Sequence, residues 1–157
     1  MTHPNCPICG KLSILDTLPA CENIWQTEHW FVVHAFNTSL EGWLVLNSKV
    51  HALSYVDLSD EAVQELGTLQ KRLTQALQAV VGTERAYSVA FSEQGAHGDY
   101  RHIHVYLIAR MPNQAPEFKG PNIFKQLGVP DEQAVSQERR NVLAQQLTAF
   151  LSSQEHS

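Results

Sequence analysis

Two groups of residues in this sequence have the types and the spacing for chemistry. The first is the run Arg101-His102-Ile103-His104-Val105-Tyr106-Leu107-Ile108-Ala109-Arg110. In an extended chain, period-two alternation sends His102, His104 and Tyr106 to one face and Ile103, Val105 and Leu107 to the other. A neutral imidazole is a competent nucleophile toward phosphorus, because an ordinary pKa near 6.5 leaves a lone pair at neutral pH without an auxiliary base. His104 is the candidate nucleophile. A solitary histidine is more often a solvated or structural residue, but alternation with bulky aliphatics directly after a glycine-bearing loop favours function. The second group is Cys6-Pro7-Ile8-Cys9, two thiols on one turn. It suits half of a tetrahedral metal site or a redox pair, and the spacing alone does not separate the two.

A phosphate bound beside His104 needs donors. The loop Gln94-Gly95-Ala96-His97-Gly98-Asp99 supplies glycines that let backbone N–H groups turn inward as an anion nest. His97 protonates a leaving group, contacts a phosphate or is simply solvated, while Gln94 and Ser92 are polar candidates for ligand contacts. Asn37 is a further polar candidate. Lys49 reads equally as a phosphate attractor and as an exposed charge at a strand end.

Other elements must position these groups. The opening segment, with Pro4, Pro7 and Gly10 around the cysteines, reads as a tight irregular turn rather than a helix. Residues 23–26 and 29–34 read as a hairpin, 43–48 as a strand, and 86–92 and 102–109 as two further strands. Between them, Ser59 is a helix cap, Val63, Leu66, Leu69, Leu73 and Leu77 recur at helical spacing, and Gly82 fits the stop. A Pro- and Gly-containing passage then leads to a final helix over about 131–151, with Val135, Val142, Leu143, Leu147 and Leu151 turned inward. Trp25, Trp30, Phe31, Trp43 and Phe91 read as core or interface packing, and Cys21 as a small buried apolar residue. The expectation is an α+β fold: about five antiparallel strands, one long helix packed on them and a C-terminal helix.

With 157 residues, 43% of them apolar, the chain suits one domain spanning 1–157, with an N-terminal knuckle (1–20) and a C-terminal extension (111–157). A net charge of −5 argues against a surface built for nucleic acid polymers or anionic membranes, which require clustered Lys and Arg. No apolar segment approaches the roughly 20 residues that cross a bilayer, so a cytoplasmic location is expected.

The run HIHVYLIAR resembles the signature of the histidine-triad superfamily, in which histidines alternate with apolar residues and the middle one is the nucleophile. EGWLVLNSKVH is similar to the strand that precedes the long helix in that family, with Gly42, Lys49 and His51 in matching places. The resemblance spans roughly residues 23–110. It implies a nucleotide hydrolase or nucleotidyl transferase acting at the α-phosphate of a nucleotide conjugate, with His104, His102 and Tyr106 as the catalytic group. Asn37, Gln94, Gly95, His97, Gly98 and Asp99 would hold substrate. It further implies a structural zinc on Cys6, Cys9, His51 and His102, with His3 a rival ligand, and a homodimer. Two positions depart from the family pattern: Tyr106 replaces the third histidine, and Asp99 stands where a small hydroxyl residue is common. A zinc-stabilised binding or interaction module that has lost turnover is the competing expectation.

Overall fold

The long helix owes its limits to local chemistry. Ser59 accepts a hydrogen bond from the Ala62 N–H at its start, Asp60 and Glu61 complement the positive end of the helix dipole, and Gly82 closes it in a left-handed conformation at φ 81°. This helix, α2 (Asp60–Val81), lies on one face of a five-stranded antiparallel sheet in a computed structural model that describes residues 2–93 and 101–155. The strands are β1 (Trp25–Gln26), β2 (Trp30–His34), β3 (Trp43–Ser48), β4 (Arg85–Phe91) and β5 (His104–Arg110), in spatial order β1-β2-β3-β5-β4. The predicted α+β class and strand count are those observed.

Trp30, Val32, Leu44, Leu46, Val105 and Leu107 alternate onto the face that meets Leu66, Leu69, Leu73 and Leu77 of α2. The last helix, α3 (Gln137–Glu155), adds Leu143, Leu147 and Leu151 to the same core. It begins later than the sequence pattern predicts, because residues 131–136 form turns after Pro130 and Ser136 caps the Arg139 N–H. Val142 and, on α2, Val63 are 38% and 40% exposed rather than turned inward. Both lie at the rim of an apolar stripe that the sequence cannot bound sharply.

The opening segment also differs from expectation, forming a short helix, α1 (Pro7–Lys11). Pro7 at the first helical position lacks only an N–H that would be unpaired there, so proline starts the turn instead of preventing it.

On the opposite sheet face, 3₁₀ turns at Pro116–Phe118 and Gly120–Gln126 lie over one part of the surface, where Ile123 and Phe124 pack with Trp43 and Ile108. The rest, over the ends of β2, β3 and β5 that carry Phe31, Asn47 and His104, is the floor of a cleft. Among the described residues no helix is long and apolar enough to cross a membrane.

Candidate functional site

The cleft encloses about 450 Å³. Its floor is read from the register: Phe31 pairs with Asn47 and Asn47 with His104, while Val33 pairs with Val45 and Val45 with Tyr106. Alternation therefore puts an apolar surface on β2 and β3 beside an imidazole and a phenol on β5. Its walls include Ile8 of α1, Phe36, Asn37 and Leu127.

His104 Nδ1 lies 2.9 Å from the carbonyl oxygen of His102. A carbonyl only accepts, so Nδ1 carries the hydrogen and Nε2 keeps its lone pair. Burial pushes the pKa of the imidazole down and so favours the neutral ring, against the opposing effect of that carbonyl. Tyr106 stands edge-on to His104 with ring centroids 5.0 Å apart, and Trp43, Phe91 and Phe124 surround it at 5.7, 5.8 and 5.9 Å. Burial raises the phenol above its ordinary value, so near pH 7 it is a hydrogen-bond donor and not an acid. Phe91, assigned to packing by the sequence pattern, is 38% exposed and forms part of this aromatic surround.

Cys6, Cys9, His51 and His102 offer four ligand atoms that all lie within 4.8 Å of one another. Cys6 Sγ is 3.5 Å and Cys9 Sγ 3.6 Å from His102 Nδ1, and Cys9 Sγ is 3.5 Å from His51 Nδ1. A tetrahedral zinc with Zn–S near 2.3 Å and Zn–N near 2.05 Å requires sulfur–nitrogen edges of roughly 3.6 Å, which these separations match. The second ring nitrogen of His102 donates to the Ser48 carbonyl at 2.8 Å, with the Ser48 hydroxyl at 3.1 Å, and this orients Nδ1 toward the sulfurs. Burial pushes His102 down to about 4, so its ring is neutral and its lone pair available. Burial, with Cys6 adding, raises the Cys9 thiol, a direction that a dication between the sulfurs reverses. The donor set fits a closed, structural zinc site. His3 is not among the four ligands; its ring lies 5.0 Å from that of His51. Cys21 is buried, as its apolar reading requires.

The remaining predicted residues fall into two sets. Asn37 lines the cleft, and Lys49 does not; its ammonium donates to Gln26 Oε1 at the sheet edge. Gln94, Gly95, His97, Gly98 and Asp99 lie outside the described residues.

Sequence reasoning missed Asn47, whose amide faces the cleft beside His104; the alternation in WLVLNS would have given its face once β3 was paired with β5. It also missed His34, where Nδ1–H donates to the Ala35 carbonyl at 2.8 Å and Nε2 accepts from the Gly42 N–H at 3.0 Å. Arg140, Lys11 and Glu22 at the far end of the cleft had no local signal.

No protein-family model and no curated protein matches this sequence. Solved structures do. A zinc-bound histidine triad family protein from Mycobacterium smegmatis superposes with a TM-score of 0.68 at 17% identity, over 97% of this chain and 96% of the other. Diadenosine triphosphate hydrolase from Plasmodium falciparum gives a TM-score of 0.60 at 15% identity, over 83% of this chain and 76% of its own. A uridylyltransferase gives 0.64 at 18% identity, and this chain spans 96% of itself but only 46% of that enzyme. The class these likenesses define is a fold: the chain has the histidine-triad fold, with Cys6, Cys9, His51 and His102 gathered into a zinc-type cluster.

Proposed function

We propose that the protein is a nucleotide hydrolase or nucleotidyl transferase of the histidine-triad superfamily, acting at the α-phosphate of a nucleotide conjugate. The observation that carries this is His104: a neutral imidazole whose Nδ1–H is held by the His102 carbonyl, with its other nitrogen unprotonated, in the floor of a largely apolar cleft.

The Nε2 lone pair attacks the α-phosphorus, forming an N–P bond while the P–O or P–N bond to the leaving group breaks and the leaving group departs with the electron pair. Water or another acceptor then attacks the same phosphorus, loses a proton, and releases the imidazole and the nucleotidyl product. The Tyr106 phenol donates a hydrogen bond to a phosphate oxygen without surrendering its proton. The apolar floor of Val33 and Val45, backed by the buried Phe31, takes the nucleoside and excludes water, with Asn37 or Asn47 hydrogen-bonding the ribose. Gln94, Gly95, His97, Gly98 and Asp99 are assigned to the phosphates, a role in which the Asp99 carboxylate requires screening by Arg101 or a cation. His102 contributes its carbonyl to His104 and its ring to zinc, so the metal clamps the N-terminal turn to the start of the nucleophile's strand. That the zinc-bound M. smegmatis protein shares this fold supports the same metal here. The hydrolase and transferase neighbours support the reaction class. Dimerisation is part of the proposal, and sedimentation of the zinc-loaded chain tests it.

The deciding experiment incubates the protein with α-³²P-labelled nucleotide conjugates, quenches, and searches for an acid-labile phosphoramidate. Label on His104, and its loss together with turnover in His104→Ala, is the expected result. Turnover that survives His104→Ala sinks the covalent mechanism. Binding of nucleotide with neither adduct nor turnover favours the competing reading of a binding module, for which Tyr106 in place of the third histidine is the supporting observation.

A further inference from the structure

At the end of the cleft opposite β5, beside the edge of β2 that β1 leaves open, Arg140 of α3 enters the wall next to Cys21. Its Nε donates to the Val135 carbonyl at 3.2 Å, and Nη1 contacts Cys21 Sγ at 3.8 Å, a weak interaction. Among the described residues no carboxylate lies within ion-pairing distance of it, although the other cation at this end, Lys11, is paired with Glu22 at 2.7 Å. A half-buried guanidinium carries five N–H donors in a planar fork, and here the Nη2 side of that fork has no protein acceptor among the described residues. Donors on the wall of a cleft, solvated while it is empty, are open to an acceptor on a ligand that displaces that water.

The order of strands says which part of the ligand arrives there. From His104 on β5, the floor crosses β3 and β2, two strand spacings or roughly 10 Å, before reaching Arg140. A leaving group expelled in line by His104 departs away from the ring that attacks, so it does not lie along this floor. The ribose and base do. The half-buried Val33 and Val45 of this floor then receive the flat face of the base, and the outer edge of the base meets Arg140.

Resting on the nucleotide reading above, we infer that Arg140 is a specificity-determining residue that selects nucleobases presenting carbonyl oxygen, rather than an exocyclic amine, at their outer edge. A guanidinium donates and cannot accept, so an oxo group satisfies it and an amino group opposes it. Hypoxanthine, guanine and uracil fit; adenine and cytosine do not.

The experiment titrates the zinc-loaded full chain with two pairs of monophosphates that differ only at this edge, IMP against AMP and UMP against CMP, by calorimetry. The expected result is a preference of about tenfold or more for the oxo member of at least one pair, the range one good guanidinium–base contact supplies. Arg140→Gln and Arg140→Lys should each reduce that ratio severalfold, the lysine variant keeping the charge but not the fork. Equal affinities within both pairs in the wild type overturn the inference and leave the nucleotide reading intact. A preference that persists undiminished in Arg140→Lys also overturns it, even if Arg140→Gln fails to fold. No binding of any of the four overturns the nucleotide reading and the inference with it.

Discussion

His34 makes the stability of this fold depend on pH in a window that can be worked out. The ring is 2% exposed, donates through Nδ1 to the Ala35 carbonyl and accepts through Nε2 from the Gly42 N–H, so both nitrogens are committed to the neutral form. Burial pushes its pKa down to about 4; the Ala35 carbonyl opposes this, Arg140 nearby reinforces it, and Glu41 opposes it weakly. In the unfolded chain the same ring titrates at about 6.5. Between the two values the unfolded state binds more protons, so stability is complete above about pH 6.5 and is lost as pH falls toward about 4. The full loss is about 3 kcal/mol, and the part between pH 7 and pH 5 is about 2 kcal/mol. The assay is urea unfolding at a series of pH values with zinc in excess, on wild type and on His34→Gln, whose amide offers one donor and one acceptor but does not titrate. The variant should be less stable at pH 7 by about 1–2 kcal/mol. Taking the difference between the two proteins removes the titration of the zinc ligands, which both share. That difference should shrink or change sign by about 2 kcal/mol on going from pH 7 to pH 5. A difference that stays constant within about 0.5 kcal/mol over that range refutes the reasoning.

Three further outcomes are expected. Gly42 has φ 98°, and a Cβ there would lie 2.8 Å from the Ala109 Cβ, so Gly42→Ala combines backbone strain with overpacking and should lower unfolding stability by roughly 2–5 kcal/mol; a loss below about 1 kcal/mol in urea contradicts the close approach. Leu73, fully buried where α2 meets the sheet, should lose about 2–5 kcal/mol on truncation to alanine, against a change near zero for the exposed Val56→Ala. Chelation, or Cys9→Ser, should remove the stoichiometric zinc and lower the thermal midpoint; the core of α2, α3 and the sheet should remain folded, because the metal ties down only the N-terminal turn. Metal analysis that finds a full equivalent in both Cys6→Ser and Cys9→Ser rejects the ligand set.

Local chemistry alone determined much of this protein. The limits of α2 follow from Ser59 and Gly82, because a cap and a stop act within one turn of the residue that provides them. The alternation in β5 placed His104 and Tyr106 on one face for the same reason: a side-chain period of two is a property of the strand itself. The Cys6-Pro7-Ile8-Cys9 spacing gave two ligands, but only the resemblance to a known family pointed to His51 and His102. What the tertiary structure decided are the meetings between distant segments. It brought two histidines, 42 and 93 residues along the chain from Cys9, to 3.5 and 3.6 Å from its sulfur. It set Arg140 against Cys21 and gave the buried His34 ring the Gly42 N–H as a partner. Helix start, strand phase and metal-turn spacing are written in neighbouring residues, whereas the wall of a cleft is set by which surfaces the whole chain buries, and no stretch of sequence encodes that choice by itself.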